Sequence, residues 1–537
     1  MKPLDPGPFF DVLADRGTGT LVHLSRPLDI ATDATDAADA RTTYDIEVLA
    51  GLVAEAAGWL AGLGVGPGDR VAVIKPNHWD YVLLACAAAR LGAVPALISG
   101  RLPAETQQVL LKRLEATVLV TTSDTLAAAR EAETDLTAFV RRTLVLDGPA
   151  PGAVDLADVR GHRPPPPVRR PDGVPLAIMH TSGTTGVPKL VSHTATTLIR
   201  RIAAAEARRW PVVSSRRDDT VAQATSYAHG RGLAWTLSVF WLAPREVVIL
   251  DRFEPQHVEP VLRAHPPTAL EATPSAFVRW QSLAAAPDNP FRDVRLFINT
   301  FDAIHPPTVR TFLAATRRRL PLWVQVWGQS ETGPLTFRCL TRRSVRASGQ
   351  RHPTTRDLGR PVPGKARLRV VDPETLQPVR RGRPGLVLAR TRALCAGYVG
   401  EPERLRAKSA DGWFATGDLG VMTPSGRLLL LDREVDTVPG GSCVELEDVI
   451  HDRLPDVVEA VVLGRASGLP LPVLVTRDGT VDRAAWRRAV ADLPPLGEPA
   501  LLPADQLPLT ATGKVRRQEL RDRFLDGAPP HGTGRWT

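Results

Sequence analysis

The sequence predicts an α/β protein, a large N-terminal domain of helix-covered, mostly parallel sheets followed by a small α+β domain. Three observations carry that expectation. A chain of 537 residues is too long for one core, since domains run to about 150 residues each. Helical and strand patterns alternate through the first part of the chain, the order that builds parallel sheets under helices. The character then changes near 432–436, which divides the chain into 1–432 and a C-terminal part, 437–537.

Taken in order, residues 45–62 have helical apolar spacing, and "GVGPGDRVAVI" reads as a turn into a buried strand. "YVLLACAAARLGAVPALI" continues as helix, tight turn and strand. The stiff connector "HRPPPPVRRPDG", 162–173, delivers the chain to the apolar strand "VPLAIM", as a proline-rich spacer does. "GRLLLLDREVDTVPGG" ends a strand in a charged stretch, after which short strands alternate with one helical segment near "DRAAWRRAVADL". There is no internal repeat.

Composition narrows the function. The net charge is +9, but basic and acidic residues are interleaved along the chain with no basic stripe, which excludes nucleic acid as a partner. The apolar fraction is 43%, no run approaches the roughly 20 residues of a membrane span, and the N-terminus lacks the order of a secretory signal. The expectation is a cytoplasmic protein without a membrane span. Cys86, Cys339, Cys395 and Cys443 lack the spacing of a structural zinc site or a disulfide framework. Only seven of the 67 basic residues are lysine. Two of these, Lys189 and Lys514, sit in Gly/Thr-rich segments, where a flexible point charge and an arginine fork act differently.

"MHTSGTTGVPKL", residues 179–190, follows the apolar strand with backbone N–H groups, hydroxyls and a lysine suited to a polyphosphate. Its glycines are too close, and its lysine too far from the second, for the Walker A pattern. "VWGQSETGP" places Glu331 between Ser330 and Thr332, and "GWFATGDLG" places Asp418 at a glycine turn. Singly each is an ordinary loop. Together a phosphate loop, a carboxylate for a divalent cation, an acid for ribose hydroxyls and a late lysine are what a nucleoside triphosphate requires.

With "LGVGPGDRVAV", "HTSGTTGVPK", "SYAHGRG", "VWGQSETG", "DLGRPVPG", "GWFATGDLG", "DREVD" and "LPLTATGK" in this order, the chain resembles the adenylate-forming superfamily of acyl-CoA synthetases, firefly-type luciferases and peptide-synthetase adenylation domains, from about Thr43 to Leu520. The resemblance implies ATP, Mg²⁺ and coenzyme A, a mobile C-terminal domain, and two half-reactions: a small-molecule carboxylic acid becomes an acyl adenylate, and a thiol then displaces AMP. By the same resemblance Thr181, Ser182, Gly183, Thr184, Thr185, Gly186 and Lys189 would hold the β- and γ-phosphates, Ser330 would touch the α-phosphate and Glu331 would ligate Mg²⁺. Asp418, helped by Arg433, would bind the ribose; Gln325 and Trp327 would meet the adenine. Lys514 would bridge carboxylate and α-phosphate. His229 would stand at the gate to the thiol, Asp436 at a hinge spanning 433–436, and Gly440 and Gly441 beside a pantetheine arm.

The sequence departs from the family where Gly-Gly-Ala-Pro is usual: Thr300, Phe301, Asp302 and Ala303 stand there instead, and Val435 and Leu446 replace the usual lysine and proline near the hinge. The substrate pocket is expected from Tyr227, His229, Gly232, Trp235, Thr300, Phe301 and Trp327, none of them a lysine for a second carboxylate. The resulting expectation is an acid–CoA ligase for a largely apolar monocarboxylic acid, in a composition suited to bacterial specialised metabolism. The alternatives are a divided enzyme that transfers a preformed acyl adenylate and a non-catalytic nucleotide-binding protein. A carrier protein is the lesser alternative to coenzyme A, and the oligomeric state is left open.

Overall fold

The computed structural model describes residues 4–31, 41–182, 187–346, 355–433, 442–465, 468–510, 513–525 and 532–537. The chain forms two compact units, one of Met1–Ala272, Ser330–Gly333 and Arg392–Ala407, the other of Thr273–Gln329, Pro334–Thr391 and Lys408–Thr537.

The first unit holds two sheets. One has eight strands in the order Gly397–Tyr398, Leu190–Thr194, Pro175–His180, Val94–Ser99, Arg70–Lys75, Val118–Thr121, Arg142–Val145 and Val154–Asp155. Its middle is parallel. Val94–Ser99 is buried along its whole length, as a strand covered on both faces must be. The helix predicted over 45–62 is Ile46–Gly62, capped by Asp45, whose side chain accepts the Val48 N–H, one of the donors a helix start leaves unpaired. The second sheet runs Ala269–Ala272, Thr220–Ala224, Glu246–Ile249 and Leu21–Leu24 in parallel, with Thr43–Tyr44 antiparallel at its edge. Phe10, Trp79 and Phe240 pack edge-on and stacked between helices of this unit. Lys75, one of the rare lysines, is wholly buried between Asp29 at 2.5 Å and Asp80 at 3.2 Å; its place is structural.

In the second unit Leu296–Asn299 and Leu322–Gln329 pair in parallel, and Asp357–Pro361, Leu428–Arg433, Trp413–Met422, Pro384–Thr391 and Ala366–Val371 form an antiparallel run. From Cys443 onward a three-stranded sheet, Val457–Leu463, Leu471–Thr476 and Ala500–Pro503, separates two apolar clusters. Cys443, Ile450 and Trp486 lie in one, Val473, Leu520 and Phe524 in the other. The helix expected near "DRAAWRRAVADL" is Arg483–Val490. His305 is buried in this unit between Asp448 Oδ1 at 2.9 Å and Glu459 Oε1 at 2.8 Å. Among the described residues no helix is long and apolar enough to cross a membrane.

Candidate active site

The strands Pro175–His180 and Leu190–Thr194 end with His180 opposite Leu190. One step further the Thr181 N–H donates to the Lys189 carbonyl at 3.0 Å, and the Lys189 N–H donates to Thr181 Oγ1 at 3.0 Å. The two ends of the phosphate-loop segment are thereby tied together. Ser182 is half-buried; Gly183, Thr184, Thr185 and Gly186 lie outside the described residues.

Glu331 is 7% exposed. Its Oε1 accepts the Tyr398 hydroxyl at 2.7 Å and stands 4.0 Å from Lys189 Nζ. Lys189 in turn lies 5.3 Å from the Tyr398 ring centroid, within cation–π range. Burial, then the Glu331 charge, pushes the Tyr398 phenol well above its ordinary range, so it stays protonated and donates. Both of these neighbours address the same carboxylate oxygen, Oε1. A carboxylate is the type of oxygen ligand that a hard divalent ion such as Mg²⁺ takes.

Ser330 is held from two sides. Its carbonyl accepts from buried His193 Nε2 at 2.8 Å, and its Oγ lies 3.0 Å from His229 Nε2. His229 caps the helix Gly230–Leu242, and its Nδ1 accepts the Arg231 N–H at 3.1 Å. An accepting Nδ1 leaves the proton of the neutral ring on Nε2, facing Ser330.

The other pocket positions expected from this stretch are more deeply buried than His229. Tyr227 is fully buried, its hydroxyl donating to the Gln223 carbonyl at 3.1 Å. Trp235 is 2% exposed against Phe240. A Cβ on Gly232 would come within 3.2 Å of the Tyr227 Cα, so this glycine admits the close approach of the preceding turn. All three are buried, Tyr227 just before this helix and Gly232 and Trp235 within it. The side chain this turn leaves partly open is Arg231, whose Nε and Nη2 take both oxygens of Glu271 at 2.6 and 2.7 Å and whose Nη1 pairs with Glu206.

In the second unit a cleft is lined by Phe301, Asp302, Gln325, Trp327, Asp418 and Lys514 among others. Gln325 is 4% exposed, and its Oε1 is buried with no hydrogen-bond partner among the described residues. A buried unpaired acceptor in a cleft asks for a ligand donor, and an adenine amino group supplies one. Phe301 holds φ at 79°, the left-handed region that a glycine takes at no steric cost; the backbone of the usual glycine persists under a phenyl ring. Thr300 is buried, with Oγ1 unpaired among the described residues. Asp418, 3% exposed, accepts from Gln329 Nε2 at 2.9 Å and pairs in register with Arg433.

Lys514 is set on a tight turn. The Thr510 N–H donates to the Lys514 carbonyl at 2.7 Å, and the Lys514 N–H donates to Thr510 Oγ1 at 3.0 Å. Gly513 has φ 79°, and a Cβ there would meet Ser275 Oγ at 2.5 Å. Behind the turn Arg517 Nη2 grips both oxygens of Glu447 at 2.7 Å. Asp432, which lines the same cleft, accepts the Cys443 N–H at 2.9 Å. Burial, reinforced by the Glu447 charge, raises Asp432 to about 7; burial, opposed by Arg517, leaves Glu447 raised to about 6. Asp436, Gly440 and Gly441 lie outside the described residues.

Comparison with known proteins gives the family. A family model for AMP-binding enzymes matches residues 30–399. The chain belongs to the AMP-binding enzyme family. Among similar proteins, a 3-amino-2-hydroxy-4-methoxybenzoate diazotase of Streptomyces cremeus is 37% identical, with 98% of this chain and 97% of that one aligned. A 2-hydroxy-7-methoxy-5-methyl-1-naphthoate–CoA ligase of Streptomyces carzinostaticus is 31% identical, over 86% of this chain and 85% of its own. The crystal structure of the anthranilate CoA ligase AuaEII in complex with anthranoyl-AMP shares the fold, with a TM-score of 0.79, 20% identity and 97% of each chain covered.

For this AMP-binding enzyme, sequence reasoning missed Tyr398, His193, Arg231, Glu271 and Asp432. Tyr398 had a faint signal, as one of four tyrosines and set between glycines in "GYVG". The remainder needed the fold.

Proposed function

We propose that the protein uses ATP to adenylate a small oxyanion and passes the activated group to an aromatic substrate, and that the reaction is the diazotisation of an aryl amine with nitrite. The observation that carries this reading is the 37% identity to a diazotase across 98% of the chain. A second relative named as a diazotase, 3-aminoavenalumate diazotase of a Streptomyces, aligns over 95% of the chain at 27% identity. The charged cluster on the first turn of the His229 helix supports a polar aromatic ring over the largely apolar acid that residue types alone suggest.

The chemistry follows from what adenylation achieves. A nitrite oxygen attacks the α-phosphorus, the bond to pyrophosphate breaks, and a mixed anhydride of nitrous acid and AMP forms. The amine nitrogen then attacks the nitroso nitrogen, AMP leaves and the amine loses a proton. The resulting N-nitrosamine tautomerises and, on protonation, loses water to give the diazonium ion. In this reading Lys189 and the Thr181 segment hold the β- and γ-phosphates, and Glu331 holds Mg²⁺, which neutralises phosphate charge when bound. Gln325 and Trp327 take the adenine, Asp418 the ribose, and Lys514 the charge that builds on the α-phosphate oxygens. His229 orients Ser330 by its Nε2–H.

Acid–CoA ligation is the second reading, favoured by the 31% identity to a CoA ligase. Coenzyme A is then the acceptor, and a carrier protein the lesser alternative; a cytoplasmic location suits either reaction. The deciding experiment incubates the purified protein with Mg·ATP and 3-amino-2-hydroxybenzoate, adding nitrite in one arm and coenzyme A in the other. Nitrite-dependent AMP release with an azo dye trapped by a naphthylamine supports diazotisation. A CoA thioester formed without nitrite overturns it in favour of ligation.

A further inference from the structure

Gln223 stands on the strand Thr220–Ala224 and is completely buried, yet neither its Oε1 nor its Nε2 has a hydrogen-bond partner among the described residues. Burying an unpaired amide is costly. Its register neighbour across the parallel ladder is Glu271 on Ala269–Ala272, and paired positions on adjacent strands put their side chains on one face, about 4.8 Å apart. Glu271 is the carboxylate that fixes Arg231 at two points, and Arg231 also pairs with Glu206. The backbone N–H of the same Arg231 sets the His229 tautomer. A single face therefore carries an unsatisfied donor and acceptor at its buried end and an ion triad at its open end, where the Arg231 and Glu206 side chains keep 17% and 25% exposure.

We propose that Gln223, Glu271, Arg231 and Glu206 form the polar end of the aromatic-substrate site, and that the Gln223 amide selects a ring hydroxyl or amino substituent. This rests on the reading that an aromatic substrate enters beside His229. The amide offers one donor and one acceptor, which a hydroxyl or amino group answers together and a methyl group answers with neither. The triad sets one guanidinium against two carboxylates. Its net negative charge turns away a second ring carboxylate and accepts neutral donors.

The test is a binding panel by calorimetry in the presence of Mg²⁺ and a non-hydrolysable ATP analogue, using benzoates with a ring hydroxyl, amino, methyl or second carboxylate group. It needs neither nitrite nor coenzyme A, so it is independent of which acceptor reaction is correct. The wild type should bind the best hydroxyl or amino compound about tenfold or more tighter than its methyl counterpart, the scale on which a buried polar group left unpaired discriminates. Gln223→Leu should bring that ratio to within about twofold by weakening the polar compound alone. Equal weakening of both compounds, or an unchanged ratio, overturns the proposal. Should Gln223→Leu fail to fold, Glu206→Gln at the open end should admit the dicarboxylate while leaving the methyl compound unchanged; continued exclusion overturns it. Absence of binding by every benzoate overturns it together with the aromatic substrate, whereas failure of the nitrite arm alone leaves the panel decisive.

Discussion

Tyr398→Phe removes one hydroxyl and keeps everything else the ring provides. The ring packs with Val191, Cys395 and Leu405 and lies 5.3 Å below Lys189 Nζ, and phenylalanine preserves both contacts. What is lost is the 2.7 Å hydrogen bond to Glu331 Oε1. A hydrogen bond to a charged acceptor contributes about 1.5–3 kcal/mol, which corresponds to roughly 10- to 150-fold in an equilibrium constant. Residues that orient a metal ligand from behind typically change metal affinity about 10–100-fold, and the two routes agree. The expected result is that the Mg²⁺ concentration giving half-maximal ATP-dependent pyrophosphate release rises about 10–100-fold, with kcat at saturating Mg²⁺ retained within a few-fold. A magnesium titration at fixed saturating ATP measures this, with the urea midpoint as a control for folding. An unchanged magnesium dependence, or a loss of kcat that excess magnesium does not restore, would refute the role given to Tyr398 and with it the placement of the ion on Glu331.

Other expectations are as direct. Lys514→Ala should lower ATP-dependent pyrophosphate release by at least about 10²-fold with the nucleotide affinity kept within a few-fold, read by isotope exchange and calorimetry. Burial alone would lower the pKa of His305, but Glu459 and Asp448 overcome it and hold it well above 6.5. Because the folded value is the higher one, its contribution is fully present below pH 6.5 and lost as the pH rises through that higher value. The stability difference between wild type and His305→Gln should therefore be greatest below about pH 6.5 and shrink as the pH rises above it, and a difference that does not fall with rising pH would contradict the ion triad. Phe301→Gly should leave the unfolding free energy within about 1 kcal/mol, since relief of an unfavourable φ offsets the lost ring contacts; a loss of about 3 kcal/mol, ordinary for a core phenylalanine, would show the strain to be absent.

Much of this was legible in the sequence because the evidence was local. The Gly/Thr-rich loop follows its strand directly, Glu331 and Asp418 sit in short motifs, and alternating helix and strand signals set the parallel sheets. The pocket side chains were less legible, since residues adjacent in sequence diverge around a helix. Tyr227 and Trp235 flank His229 in the chain, yet the turn carries them into the core and leaves Arg231 partly open. Glu271 and Gln223 lie far apart along the chain and meet only through strand register. Lysine scarcity marked Lys189 and Lys514, and it marked Lys75 equally, whose partners Asp29 and Asp80 come from separate segments.

The four tyrosines of the chain share one circumstance: Tyr44, Tyr81, Tyr227 and Tyr398 are each no more than 3% exposed. Burial also shifts every one of these phenols upward from its ordinary pKa. Diazonium ions couple to phenolates at carbon, so an enzyme that makes such an electrophile endangers its own surface. On the diazotisation reading, each tyrosine that could take an azo scar is buried, and burial favours its protonated phenol over the phenolate that couples.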